Sequence, residues 1–105
     1  MKYIKYYEKR VEDIDINDYV IVDYNDIFTS KIALYLKNTI GRVKSALGET
    51  IYVDYGYNVP KELQQYFSRA DYGDYIKIVK AKDIIFSSQD RKDVEAYLNS
   101  NKFNI

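Results

Sequence analysis

The chain contains no cysteine, no histidine and no tryptophan. Without cysteine there is no disulfide framework, no thiol nucleophile and no cysteine-ligated zinc. Without histidine the commonest general base, the usual triads and most zinc sites go as well. Proline occurs once, and the four glycines are scattered, so no glycine-rich phosphate loop is present. A surplus of either charge is also missing: sixteen basic and sixteen acidic side chains cancel. Sequence-independent nucleic-acid binding draws on neutralised phosphates and hence on a basic surplus, so a nucleic-acid partner is not expected. No apolar run approaches the roughly 20 residues of a helical membrane span. The opening MKYIKYYEKR lacks the continuous apolar stretch of a secretory signal. The expectation from these absences is a cytoplasmic chain with no enzymatic activity, no cofactor, no metal and no membrane partner.

What is present is a 105-residue chain, 47% hydrophobic and 30% charged, which suits one globular domain over 1–105. Thirteen tyrosines are its most unusual total. Tyrosine combines rigid apolar area with a polar tip and recurs in binding surfaces, although AT-rich codon usage also favours it. Charge is uneven along the chain. Lys2, Lys5, Lys9 and Arg10 face only Glu8 in the first ten residues. Glu12, Asp13, Asp15, Asp18, Asp23 and Asp26 then follow without a base. Solvated faces and turns account for that acidic stretch, and a surface for a basic partner is the sharper alternative.

Along the chain, Tyr3, Ile4, Tyr7 and Val11 have helical spacing, with strand spacing through Tyr3, Lys5 and Tyr7 as the alternative. Asn17-Asp18 is turn chemistry ahead of a strand, Tyr19-Val20-Ile21-Val22, that ends at Asp23. TSKIALYLKNTIG predicts a helix capped by Thr29 or Ser30, with Ile32, Tyr35 and Leu36 on one face and Gly41 just past its end, and an extended strand through Ile32, Leu34 and Leu36 as the alternative. In IGRVKSALGETIYVDYG two β-prone runs flank Gly48-Glu49 and read as a hairpin. Alternation sends Ile51, Val53 and Tyr55 inward and Tyr52 and Asp54 outward. Asn58 and Pro60 suit a helix start before Leu63, Tyr66 and Phe67, and SRADYGDY reads as a loop. YIKIVKAKDIIFSS gives two strands with a bend at Lys80–Lys82. Ser87 or Ser88 caps a last helix whose apolar face is Val94, Tyr97 and Leu98. The expected core is Val20, Val22, Val43, Ile51, Val53, Ile78 and Ile85, with Phe103 and Ile105 folding back.

The expected class is mainly β with added helices (α+β), in a small partly open antiparallel barrel. The stretches NDYVIVDY, IGRVKSALGETIYVDYG and DIIFSS resemble an SH3-like barrel, and the hairpin over residues 40–58 is similar to those of Tudor-type domains. This resemblance divides the chain into an N-terminal extension (1–12), an SH3-like barrel (17–87) and a C-terminal helix and tail (88–105). MKYIKYYE, INDYVIV, NTIGRV, VPKELQQYF and DVEAYLNSNKFNI together resemble small uncharacterised proteins of large tailed phages. That likeness implies a viral origin and action in the host cytoplasm, and it carries no catalytic residue.

Little in the residues points to chemistry. Asp13, Asp15 and Asn17 open like an EF-hand loop, but Asp18 replaces its glycine and Tyr24 its closing glutamate. Asp71 and Asp74 share a loop and read as turn residues rather than an acid–base pair. Ser87 and Ser88 read as caps, having no base beside them. The candidate binding residues are Tyr24, Tyr52, Asp54, Tyr57 and Tyr72, since aromatics beside one acid suit a peptide or a cationic side chain. Packing of these tyrosines under helices is the competing account. The functional expectation is a protein-binding module directed at a host or defence protein. A nucleic-acid-binding barrel, with Arg42, Lys44, Lys77, Lys80 and Lys82 joined to the N-terminal bases, and a structural virion component are the alternatives.

Overall fold

The computed structural model describes residues 14–24 and 30–103. The expected N-terminal helix, the caps at Thr29 and Ser30, the first-segment bases and the packing of Phe103 and Ile105 lie outside what it describes. Within it, six strands form one antiparallel sheet: β1 (Tyr19–Val22), β2 (Gly41–Leu47), β3 (Thr50–Asp54), β4 (Ser68–Arg69), β5 (Tyr75–Lys80) and β6 (Ile84–Ser88). Their spatial order is β4-β5-β3-β2-β1-β6. Helix α1 (Ser30–Lys37) lies between β1 and β2, and α2 (Arg91–Phe103) follows β6. Two 3₁₀ segments, Lys61–Tyr66 and Ala81–Asp83, complete the described elements.

Local chemistry explains most boundaries. Asn17 takes the left-handed φ of 75° that asparagine tolerates best after glycine. Asp18 closes the same turn by accepting the Asp15 N–H at 2.9 Å, and its other oxygen accepts from Gln89 Nε2. The buried carboxylate thereby ties the start of β1 to the start of α2. Gly48, at φ 61°, makes the β2–β3 turn. Asp90, rather than Ser87 or Ser88, caps α2, its Oδ1 accepting the Lys92 N–H at 2.9 Å, while Ser88 Oγ accepts the Asp90 N–H at 3.0 Å and donates to Asp93 Oδ2 at 2.8 Å. The bend at Lys80–Lys82 is the second 3₁₀ turn.

Several further readings are corrected. Gly41 does not end α1. Asn38 closes that helix by donating to the Leu34 carbonyl at 2.9 Å, while Gly41 opens β2 beneath Val53 and the Tyr55 ring. The segment after Pro60 is a 3₁₀ helix with no side-chain cap from Asn58. Part of the expected loop, Ser68–Arg69, pairs with Tyr75 and Ile76. Finally, Ile78 is 46% exposed and Val79 takes the core position. Ile78 stands opposite Tyr52, so it shares that residue's outward face, and the inward set in β5 is one residue out of step with the expected one.

The larger core cluster gathers Val20, Val22, Ile32, Leu36, Val43, Ile51, Val53, Tyr55, Leu63 and Val79 on one face of the sheet. Ile32 and Leu36, four residues apart on α1, supply the helical cover. Tyr35, Tyr55, Phe67 and Tyr75 add tilted and edge-on ring contacts with centroids 5.7–6.3 Å apart. On the opposite face, Ile21, Phe86 and Val94 form a second cluster under α2, with Tyr97 stacked on Phe86 at 4.6 Å. Ile85, expected in the core, is the residue skipped at the β1–β6 irregularity and is half-buried beside this cluster. No described helix is long and apolar enough to cross a membrane.

Candidate functional site

Helix α2 covers the β6–β1 end of its face and leaves the β2–β3–β5 part open. There the strand register places Tyr52 opposite Ile78 and Asp54 between Arg42 and Ile76. A bulge between Val43 and Ser45 leaves Lys44 without a partner in β3 and puts Leu47 opposite Thr50 on the same open face. Leu47 is 69% exposed and Tyr52 is half-buried. This face is therefore an apolar strip of Leu47, Tyr52 and Ile78 running toward Asp54.

Asp54 is the hub of a polar cluster at the end of that strip. Its Oδ1 accepts the Gly56 N–H at 2.7 Å, and Gly56 has the φ of 76° that such a turn requires. Its Oδ2 accepts from the Tyr72 hydroxyl at 3.0 Å. Lys44 Nζ sits 4.3 Å from the Tyr72 ring centroid. The Tyr72 hydroxyl first, then the Asp54 and Asp74 charges, hold the Lys44 ammonium above its usual range against some desolvation. Desolvation, then the Asp54 charge and a hydrogen bond with Asp54, raise the Asp74 carboxyl, and Lys44 opposes them. The loop carrying Tyr72 and Asp74 is set by the Ala70 N–H to the Asp74 carbonyl at 2.8 Å and by Gly73 at φ 101°.

Of the five tyrosine and aspartate candidates, the structure brings together Tyr52, Asp54 and Tyr72. Tyr57, three residues past Asp54, is 74% exposed and has no ring or hydrogen-bond partner among the described residues. Tyr24 lies apart from them. It packs on the larger core cluster, and Lys77, which pairs with Val53 on the core side, places Nζ 4.8 Å from its ring centroid. Lys77 thus faces away from Arg42, and the basic residues named in the nucleic-acid alternative do not all share one face. Asp71 is exposed in its turn. No group of three or more carboxylates suited to a metal ion occurs among the described residues.

Sequence reasoning missed a second constellation beside this one. Tyr19, Arg42 and Arg91 line a cleft of about 500 Å³ with Gly41, Tyr55 and Asn58. The Arg42 and Arg91 guanidinium carbons lie 5.5 and 5.9 Å from the Tyr19 ring centroid. Tyr55 is buried, and its hydroxyl has no hydrogen-bond partner among the described residues. Burial, with Tyr35 adding to it, pushes that hydroxyl far above the ordinary tyrosine range. Arg42 and Arg91 are 49 positions apart, and no spacing rule links them. Compared with protein-family models, curated proteins and solved structures, the chain matches none.

Proposed function

We propose that the chain is a non-enzymatic protein-binding module whose contact surface is the open outer strip Leu47–Tyr52–Ile78 with the Asp54–Tyr72 pair at its border. The observation that carries this reading is the exposure of Leu47 and Ile78 beside Tyr52 on a sheet face that α2 leaves bare. Apolar side chains clustered at a polar rim are the usual anatomy of a protein interface. Tyrosine suits its centre, having few rotatable bonds to order on binding.

The finer architecture fits the same reading. The return of β6 to pair with β1, after the 3₁₀ turn, draws the sheet toward closure and supports a partly open SH3-like barrel. The resemblance of MKYIKYYE and DVEAYLNSNKFNI to small proteins of large tailed phages makes the partner a host or defence protein, met in the host cytoplasm.

The test pairs two measurements on one variant. A partner captured from host lysate is titrated against the wild-type chain and Tyr52→Ala, and both proteins are melted. Affinity is expected to fall by ~1–3 kcal/mol with little change in thermal midpoint. A large drop in midpoint with unchanged affinity would show that Tyr52 only supports the sheet, and the proposed surface would fail.

A further inference from the structure

Arg42 stands directly across from Asp54 in the β2–β3 register, yet it does not bridge that carboxylate. Both Asp54 oxygens already have donors, Gly56 N–H and the Tyr72 hydroxyl, and the Lys44 charge lies nearby. Arg42 turns instead to Tyr19, where Arg91 also reaches. Ring contact satisfies a guanidinium's charge but leaves its N–H groups without an acceptor. Arg91 has one acceptor, Glu95 Oε2 at 3.0 Å, in an exposed i,i+4 pair. Pairs of this kind contribute little and are readily exchanged. Two arginines, one with no hydrogen-bond acceptor among the described residues and the other held by a weak pair, therefore border one cleft.

The walls add a second observation. The cleft runs past Gly41 and Gly56 to Tyr55 and Asn58. Its volume of about 500 Å³ lies in the range of small-molecule sites. A carboxylate has two oxygens and is satisfied by one guanidinium fork. A phosphoryl group offers three oxygens and up to two charges, which two forks match better. We infer that the cleft bordered by Arg42 and Arg91 is a binding site for a phosphomonoester, with the phosphoryl group between the arginines and the attached group along Gly41, Tyr55 and Gly56. This site stands independently of the protein-binding strip, although Asp54 borders both.

The test is calorimetric titration of the full chain, in phosphate-free buffer, with inorganic phosphate and with phenyl phosphate. Saturable binding of both is expected, with phenyl phosphate the tighter because the cleft continues beyond the arginines. Arg42→Ala and Arg91→Ala should each weaken phenyl phosphate by roughly tenfold or more, and Arg42→Lys should lose most of that affinity despite keeping its charge. Lys82→Ala, on the second 3₁₀ turn, should bind as wild type. Both arginines are exposed, so thermal midpoints near the wild-type value confirm that the variants are folded. Failure of both probes to saturate, or wild-type affinity in folded Arg42→Ala, overturns the site. Equal affinity for the two probes overturns the phosphomonoester assignment. Binding of a single-stranded oligonucleotide, weakened equally by Lys44→Ala, Lys80→Ala and Arg42→Ala, would also overturn it by revealing a diffuse polyanion surface.

Discussion

The two faces of the sheet are built from the same strands and finished differently. On the inner face, α1, the first 3₁₀ segment and a chain of aromatic rings close over Val43, Ile51, Val53 and Val79. On the outer face one helix covers Ile21 and Phe86, and the remaining strands carry Tyr52, Ile78 and a polar cluster into solvent. Alternation along β3 serves both faces equally well, so the difference arises from which described helices pack on each side. The inner face is where volume matters, and the outer face is where charge and contact matter.

Gly41→Ala tests the inner face most severely. A Cβ there would stand 2.8 Å from the Tyr55 ring and closer still to a Val53 methyl, in the centre of the packed layer. Overpacking of that kind should cost ~3 kcal/mol, read as a lower midpoint in urea unfolding. A neutral result would mean that Tyr55 and Val53 can move apart and that the layer is loose. Next in size is a matched pair across the sheet. Val53→Ala should cost ~2 kcal/mol through lost burial and a cavity, whereas Ile78→Ala should cost under ~1 kcal/mol. Equal losses would erase the distinction between the faces.

Tyr55→Phe is expected to act in the opposite direction. It keeps the ring contacts with Tyr35 and Phe67 and removes a buried hydroxyl that has no partner among the described residues, so stability should rise by about 1 kcal/mol. A loss on thermal unfolding would reveal that the hydroxyl is satisfied after all. The smallest effect belongs to the outer cluster. The folded-state pKa of Asp74 is raised above its unfolded value, so the folded chain binds that proton more tightly. Its contribution is present below the unfolded carboxylate range and is lost as pH rises through the raised value. Asp74→Asn should therefore flatten the stability profile across the carboxylate range and leave the variant the more stable protein at neutral pH. An unchanged profile would show that burial and the Asp54 charge do not raise the Asp74 carboxyl.

The hairpin, β1, the second 3₁₀ bend and the existence of α2 were legible because each is written in neighbouring residues: Gly48 in its turn, Asn17-Asp18 before YVIV, Val94, Tyr97 and Leu98 at helical spacing, with the α2 cap two residues later than expected, at Asp90. Ile78 was misplaced because YIKIV alternates in either phase, and only the pairing of β5 with β3 settles which phase faces inward. Gly41 was misread because a glycine after a helical pattern usually marks its end. Here the constraint comes from Tyr55, on the neighbouring strand. The Tyr52–Asp54–Tyr72 grouping was partly readable, since strand alternation turned the first two outward. The Arg42–Tyr19–Arg91 grouping was not, because β1, β2 and α2 come together only after the sheet has formed.

The pairing of β1 with β6 has a consequence for the order of events in folding. The β2–β3 hairpin joins residues that are near neighbours in sequence, so it can form while most of the chain is unstructured. Tyr19 and Ser88, by contrast, must meet across most of the chain, at a high cost in loop-closure entropy. The strand that is buried from both sides, β1, therefore gains its second neighbour late. Before that closure, Ile21 and Phe86 are exposed together with the facing edges of β1 and β6, which makes the partly folded chain sticky at a place the finished protein buries.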